Sequence, residues 1–559
     1  MRMVLITVVL AVATSIPVPA AEQWIRLSSA NFEIYSDAPA KEVRELLTRF
    51  ERVRSFFIKA APMRAPEEFP VRIIAFRSRD EYNLYSPGKL SAAFFTANAW
   101  RDYIVLSTTS QEAFSLGVHE YTHLVVRHSG LRLPLWLSEG WADVFSSMRN
   151  VSDGIAVGDL VKDRVGYLEK GGWMSLDQLT AVNQNSPEYH EASRIGLFYS
   201  ESWALAHMFY LSPDYRGGFA KFLNAIHRGE SFSPAAESAF GKPPGRIFDD
   251  LRTYLSRKKL TGQVFEVRVD KGAIKPETTA VSAFDTRLML ADLRAVTGAI
   301  ERAAEEYAAL AVEQPDRPEI ALSLGYLALE RKDTTTALQQ FEKADSAGIQ
   351  DARMFFQLAA LEREAKAPAA KVILLLARAV ELQPDFTDAL VNLGLIRMEA
   401  RDYEKALEAL SKVEIVIPAA APAVFTALAY GNLQTGRLEQ ARGHLATARR
   451  YAQAGPPLNA ITAMEGLIEA RARSKFPPQP GEKLHLLNGM AQSMDCSGAS
   501  AKLHVLAAGQ PMIFELPDPK EVEFSRPHGN TVQLTCTPQQ QFPVVVEFAA
   551  PNIIRRLEF

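Results

Sequence analysis

Two histidines and a glutamate stand close together in the segment HEYTH, residues 119–123. On an α-helix, side chains four residues apart project from the same face, so the imidazoles of His119 and His123 can reach one metal ion. Histidine nitrogens are common ligands of tetrahedral zinc. Glu120 is then placed to accept a proton from a water molecule at the metal. The spacing therefore predicts zinc-dependent hydrolysis, with His119 and His123 as metal ligands and Glu120 as the general base.

A catalytic zinc site uses a third protein ligand and leaves the fourth position for water. The third ligand should come from a neighbouring helix, and Pro134 is a residue that favours a helix start. Glu139 follows in this predicted helix, 16 residues after His123. Trp136 and Leu137 indicate that the position is buried, where an unpaired carboxylate would be costly. We therefore expect Glu139 to be the third metal ligand.

The chain between residues 133 and 143 reads LPLWLSEGWAD. This P-x-W-L-x-E-G-x-A pattern after an HExxH helix resembles the gluzincin metallopeptidases, most closely the bacterial peptidase-MA-like group. The resemblance covers roughly residues 24–258. It implies an α+β zincin-like metallopeptidase domain, Zn²⁺ as the cofactor and a peptide or protein substrate, and it assigns the same three ligands and the same base.

The resemblance implies roles for two further residues. Asp143, one turn after Glu139, matches the carboxylate that orients a ligand histidine in thermolysin-like enzymes. The alternative for Asp143 is a solvated charge on the helix. Tyr199 begins the segment YSESWAL, which resembles the helix start where aminopeptidase-type gluzincins carry a tyrosine that stabilises the transition state. The alternative for Tyr199 is a tyrosine packed in an apolar helix.

The elements that must position these residues have recognisable signals. Thr109 followed by Glu112 fits a capping box at the start of the motif helix, and Gly130 fits its C-terminal stop. Val71–Phe76 and Tyr103–Leu106 are predicted to be buried strands. We expect Tyr103–Leu106 to form the sheet edge on which an extended peptide pairs.

Three functions are compatible with these features. The first is a zinc peptidase, and the second is an envelope scaffold whose peptidase-like domain is structural or inactive. Because the base and all three ligands are present, the enzyme is favoured over the scaffold. The third is an aminopeptidase, but residues 92–100 lack the Gly-x-Met-Glu-Asn segment with which such relatives hold a free amine. We therefore expect an endopeptidase.

The N-terminus predicts export. The first three residues supply positive charge, Val4–Ile16 is almost wholly apolar, and small residues precede a cleavage site after Ala20 or Ala21. We expect a signal peptide over residues 1–20 and a periplasmic or secreted protein; the alternative, an uncleaved anchor, is disfavoured by the short apolar run. No transmembrane segment is expected in the mature chain. A net charge of −3 offers no electrostatic basis for binding nucleic acid.

The chain is too long for a single hydrophobic core, and its 47% hydrophobic residues are ordinary for a globular protein. We expect a multidomain protein. The predicted domains are the peptidase-like domain over residues 22–260, a linker over 261–283, an all-α repeat domain over 284–475 and a small all-β domain over 483–559.

In the predicted repeat domain, residues 284–475, apolar residues recur at intervals of 34 or 35 residues. The repeated position is occupied by Ala303, Ala337, Val372, Ala406 and Ala441. Four residues later the chain carries Tyr307, Phe341, Leu376, Leu410 and Leu445, and twelve residues earlier it carries small residues such as Gly325, Gly394 and Ala429. This pattern resembles the tetratricopeptide repeat, in which small residues allow two helices to cross closely. About five repeats are predicted, either as a groove that binds a protein partner or as a spacer.

The C-terminal domain carries short β-like segments separated by Gly, Pro and Asn, which predict a small sandwich or barrel. These segments are Leu503–Leu506, Met512–Glu515, Val532–Cys536 and Val544–Phe548. Cys496 and Cys536 are the two cysteines of the chain. In an oxidising compartment, two cysteines within one small domain predict a disulfide; the alternative is two buried thiols.

Overall fold

The structure is a computed structural model of the 559-residue chain. It describes residues 23–59, 61, 69–88, 91–98, 101–151, 154–170, 172–191, 193–257, 260, 262–267, 277–413, 420–452, 455–473, 484–498, 500–517, 522–525, 536 and 541–558. The predicted signal peptide over residues 1–20 lies outside this set. The chain divides into two compact units, Met1–Gln340 and Phe341–Phe559. Among the described helices, none has both the length and the apolar character needed to cross a membrane.

The first unit combines strands and helices. Its strands are β1 (Ile25–Ser28), β2 (Phe32–Ser36), β3 (Val71–Ala75), β4 (Ala93–Ala97), β5 (Asp102–Leu106), β6 (Arg149–Val151), β7 (Gly154–Val157), β8 (Gln263–Glu266) and β9 (Glu277–Ala280). Its helices are α1 (Ala40–Lys59), α2 (Arg79–Tyr82), α3 (Gln111–His128), α4 (Leu135–Ser146), α5 (Lys162–Glu169), α6 (Leu176–Ala181), α7 (Pro187–His190), α8 (Ile195–Leu211), α9 (Phe219–His227), α10 (Phe232–Phe240), α11 (Pro244–Leu255), α12 (Ala283–Val296), α13 (Ile300–Glu313) and α14 (Pro318–Glu330). The next helix, α15 (Thr334–Ser346), contains the division.

Six strands of the first unit form one mixed sheet in the order β4-β5-β3-β2-β1-β9. Strands β2, β3 and β5 are parallel, whereas β4 is antiparallel to β5. The prediction that Tyr103–Leu106 forms the sheet edge is therefore wrong, because β5 pairs with a neighbour on each side. Its continuous run of buried residues is that of an internal strand. Among the described residues, the outermost strand at this end of the sheet is β4.

Both faces of this sheet are covered. Ile73 and Ile104 face a core that α1 and α3 share, whereas Ile74 and Val105 face a second cluster on the opposite side. Helix α12 supplies Leu293 to this second cluster, together with two neighbouring apolar residues. Alternate residues of a strand point to opposite faces, so one sheet joins both cores. The first helix of the predicted repeat region thus packs on the sheet of the α/β region.

The segment predicted as a linker over residues 261–283 contributes two strands. Strand β9 pairs antiparallel with β1 and extends the six-stranded sheet. Strand β8 pairs antiparallel with β7 in a separate three-stranded sheet. These strands are four residues long and largely exposed, so they lack the apolar alternation by which strands are predicted.

The second unit contains the remaining helices and a β region. Its elements are α16 (Ala352–Glu364), α17 (Ala369–Leu382), α18 (Thr387–Glu399), α19 (Tyr403–Ser411), α20 (Ala421–Gln434), α21 (Leu438–Tyr451), α22 (Pro456–Arg473), β10 (Leu484–Asp495), β11 (Ala501–Ala507), β12 (Gln510–Leu516), β13 (Glu523–Ser525), β14 (Phe542–Ala549) and β15 (Ile553–Glu558).

In chain order, α12 to α21 make five consecutive helix pairs, and all ten of the recurring apolar residues are buried. Gly394 shows why a small residue is required within a pair. A Cβ atom at Gly394 on α18 would lie 2.5 Å from Cγ of Leu410 on α19. At this crossing a residue larger than glycine would have to displace the side chain of Leu410.

The β region forms a six-stranded sheet in the order β12-β11-β10-β14-β15-β13, and β12 makes one additional parallel pairing with β15. Its core contains Val505, Phe514 and Val546. Cys496 and Cys536 are joined in a disulfide, with Cα atoms 5.6 Å apart. The rest of the predicted strand Val532–Cys536 lies outside the described residues.

Candidate metal centre

The two helices that carry the predicted ligands begin at identifiable residues. Helix α3 starts after Ser110, whose Oγ accepts a hydrogen bond from the N–H of Ala113. The cap is thus Ser110, and the predicted cap, Thr109, instead donates to the carboxylate of Glu42 at 2.6 Å. Helix α4 starts after Pro134 and packs on α3 and α8. A Cβ at Gly140 would lie 2.3 Å from a backbone oxygen of α8, so this glycine lets the two helices approach closely.

Three donor atoms of the predicted ligands converge. Nε2 of His119 lies 3.2 Å from Nε2 of His123. Oε2 of Glu139 lies 3.3 Å from the first of these nitrogens and 3.4 Å from the second. In a tetrahedral site with metal–ligand distances of about 2.0–2.1 Å, ligand atoms lie about 3.3–3.4 Å apart. The three atoms therefore have the separation of three corners of a zinc tetrahedron.

The donor set also fits a cation by its chemistry. Glu139 is only 5% exposed, and its Oε2 accepts no hydrogen bond of normal geometry from the described residues. A buried carboxylate oxygen without a partner is costly, and a metal ion would satisfy it. Burial raises the pKa of Glu139, but the two histidines outweigh burial and hold it well below the ordinary value. The residues present therefore fit a divalent metal such as zinc.

The outer nitrogens of both histidines have partners. Nδ1 of His119 lies 3.0 Å from Oδ1 of Asp143, and Nδ1 of His123 lies 3.2 Å from Oγ of Ser138. When Nδ1–H of His119 donates to Asp143, the lone pair of Nε2 faces the other two ligands. Ser138 was not predicted; it lies one residue before Glu139, so the same helix supplies a candidate ligand and a partner of another candidate ligand.

The carboxylates of Asp143 and Glu139 make the centre electrostatically favourable for a positive charge. Burial lowers the pKa of His119, but the nearby carboxylates of Asp143 and Glu139 prevail and raise it to about 10. Burial raises the pKa of Asp143, but His119 and Arg164 lower this pKa by more than burial raises it, so the net shift is downward. The centre is thus suited to hold a cation.

Glu120, the predicted base, is held from the sheet. Its Oε2 accepts a hydrogen bond from the backbone N–H of Phe95 on β4, at 2.9 Å. Burial raises the pKa of Glu120, partly offset by the two histidines. A carboxylate with a raised pKa beside a metal centre is suited to exchange a proton.

Two tyrosines line the same centre. The ring of Tyr199 is half-buried and its centroid lies 6.5 Å from that of His119. The ring of Tyr189 on α7 stacks on Tyr199, with centroids 6.3 Å apart, and its hydroxyl donates to Oε1 of Glu139 at 3.2 Å. The sequence carries no signal that points to Tyr189, because this residue lies in a four-residue helix with no motif. Burial raises the pKa of Tyr189 to about 12, so it is a donor at neutral pH.

Comparisons with known proteins concern the repeats. The tetratricopeptide repeat family model matches residues 288–352 and 373–423, wholly outside the metal centre. The chain therefore contains tetratricopeptide repeats within a multidomain protein of helical and β regions. Tetratricopeptide repeats suggest a protein-interaction scaffold.

Among solved structures, the chain is similar to YrrB, described as a tetratricopeptide-repeat protein with an unusual peptide-binding site (19% identity, 33% of this chain, 98% of that chain, TM-score 0.28). It is also similar to MamA (19% identity, 31% and 95%, TM-score 0.25). A third similarity is to pilF of Pseudomonas aeruginosa (18% identity, 34% and 86%, TM-score 0.27). A comparison with curated proteins gave no match.

Proposed function

We propose that the chain is an exported zinc-dependent peptidase of the peptidase-MA-like gluzincin type, whose repeats bind a substrate or partner protein. The observation that supports this proposal is the convergence of Nε2 of His119, Nε2 of His123 and Oε2 of Glu139 at mutual distances of 3.2–3.4 Å. The α+β zincin-like fold and endopeptidase specificity belong to the same proposal.

Each residue of the centre then has a chemical task. Zinc held by the three ligands would supply a Lewis acid that activates water and polarises a carbonyl. Glu120 accepts the proton of the attacking water and returns it to the leaving amine. Tyr199 donates toward the oxyanion that develops on the substrate. Asp143 and Ser138 hold the two histidines in the orientation that presents Nε2.

The repeats favour a second candidate function. Tetratricopeptide repeats suggest a protein-interaction scaffold, and the family match supports this part of the chain alone. In that case the metal centre would be structural or inactive, and the repeats would carry the function.

A direct experiment separates the two. The full chain is purified without chelator, its zinc content is measured, and cleavage of casein and of a peptide library is compared with that of Glu120→Gln. Glu112→Gln is the matched control, since Glu112 is exposed at the start of the same helix. Stoichiometric zinc with cleavage lost only in Glu120→Gln supports the peptidase. Zinc without Glu120-dependent cleavage supports the scaffold, and absence of zinc overturns the metal centre.

A further inference from the structure

A short helix outside the motif contacts the metal centre. Nε of Arg164 on α5 donates to Oδ2 of Asp143 at 2.6 Å, and Nη2 donates to Oδ1 at 3.3 Å. The same Oδ1 lies 3.0 Å from Nδ1 of His119. Asp143 therefore stands between a guanidinium and a ligand imidazole.

The arrangement fixes the plane of the carboxylate. A carboxylate that accepts one hydrogen bond can still rotate, whereas a guanidinium that donates to both oxygens holds its plane. Asp143 is 4% exposed, so water does not replace this partner readily. Arg164 is thus the group that determines which way Oδ1 faces His119.

The same guanidinium also reaches the candidate oxyanion donor. Its Cζ lies 4.8 Å from the centroid of the Tyr199 ring, within the range of a cation–π contact. Helix α5 packs on α8, which carries Tyr199. One side chain therefore contacts both the partner of a ligand and the ring beside the ligands.

We propose that Arg164 is a positioning residue of the metal centre. It holds Asp143 so that His119 presents Nε2 to the metal, and it holds Tyr199 beside that ligand, without itself contacting metal or substrate. This inference rests on the proposed zinc site. The alternative is that Arg164 only neutralises a buried carboxylate, as any cation could.

The test measures zinc affinity of the full chain by competition with a chelator. The variants are Arg164→Gln, Arg164→Lys and Arg164→Ala, the last also with added guanidinium ion. Arg149→Gln is the control, because Arg149 pairs with Asp159 at the surface and its side chain is 57% exposed. The melting temperature of each metal-free variant reports whether the fold is intact.

We expect Arg164→Gln to bind zinc about tenfold more weakly, the size of effect typical for residues behind a ligand. Arg164→Lys should recover only part of the loss, guanidinium should restore Arg164→Ala, and Arg149→Gln should match the wild type. Unchanged zinc affinity in Arg164→Gln overturns the inference, and so does full recovery by lysine or a loss that guanidinium does not restore. A wild type without zinc overturns the proposed function, and the inference with it.

Discussion

The carboxylate of Glu120 and the backbone N–H of Phe95 are joined by a hydrogen bond of 2.9 Å. Glu120 belongs to helix α3 and Phe95 to the outermost strand β4, so the candidate base is positioned by the sheet as well as by its helix. Since this N–H donates to Glu120, it takes no part in the hydrogen bonds that pair β4 with β5.

Removing that donor should impair cleavage while leaving zinc bound. Proline is tolerated in an outer strand where its nitrogen is not needed by the ladder. Phe95→Pro removes a hydrogen bond to a carboxylate, worth about 1.5–3 kcal/mol, so we expect cleavage to fall at least about tenfold. Phe95→Ala keeps the N–H and should retain more activity at equal zinc content. If both variants lost the same amount of cleavage activity, the effect would come from loss of the phenylalanine side chain and not from loss of the N–H.

Substitution of Tyr189 and substitution of Tyr199 should have different effects on zinc affinity and on kcat. Tyr189→Phe removes the hydroxyl that donates to Oε1 of Glu139, so we expect zinc affinity to fall about tenfold. Tyr199→Phe should leave zinc affinity near that of the wild type and lower kcat by about a hundredfold, as loss of an oxyanion donor does. Chelator competition and steady-state kinetics on both variants measure this. A Tyr199→Phe variant with normal kcat would remove Tyr199 from the mechanism.

Glu201 should make stability depend on pH. Burial raises the pKa of Glu201 to about 7. The N–H of Met174, which donates to Oε1 at 2.8 Å, and the charge of Arg252 both lower this pKa but do not offset burial. In the unfolded chain this carboxyl titrates near 4.5. Between these two pKa values the unfolded chain binds fewer protons than the folded one. The free energy of unfolding therefore decreases as pH rises through this range.

Glu201→Gln, which stays neutral, should therefore raise the free energy of unfolding by about 2–3 kcal/mol at pH 8 and leave it nearly unchanged near pH 4. Denaturant unfolding with chelator present at each pH measures this without changes in bound metal. Glu237→Gln on the exposed side of α10 is the control and should show little difference across this range. A gain at Glu201 that is the same at both ends of the range would contradict the prediction.

Helix α12 should be part of the fold of the α/β region. Leu293 is fully buried in the cluster that contains Ile74 and Val105, so Leu293→Ala should lower the free energy of unfolding by about 2–5 kcal/mol. Hydrogen exchange should accelerate in β3 and β5 as well as in α12. Val312→Ala on α13 is the control, since Val312 is 85% exposed, and should change stability by less than about 0.5 kcal/mol. Exchange that accelerates in α12 alone would show that the helix is only loosely attached to the sheet.

The features that could be predicted are those with local periodicity. The repeats follow from a 34-residue period, and Gly394 against Leu410 shows the packing behind it. Strands β3 and β5 agree closely with the predicted strands Val71–Phe76 and Tyr103–Leu106, because continuous apolar runs are a strong signal for buried strands. Strands β8 and β9 have no such pattern and were assigned to a linker. The cap of α3 was misplaced by one residue, which is a common error at helix ends.

The sequence by itself determined that His119 and His123 share a helix face, because four-residue spacing is a local property of the helix. It also indicated Glu139, through a motif on the following helix. The tertiary structure alone decided that β4, not β5, is the outer strand, and that Phe95, Tyr189 and Arg164 contact the residues of the candidate metal centre. Those contacts join residues far apart in the chain, and no spacing rule specifies which of them fold together.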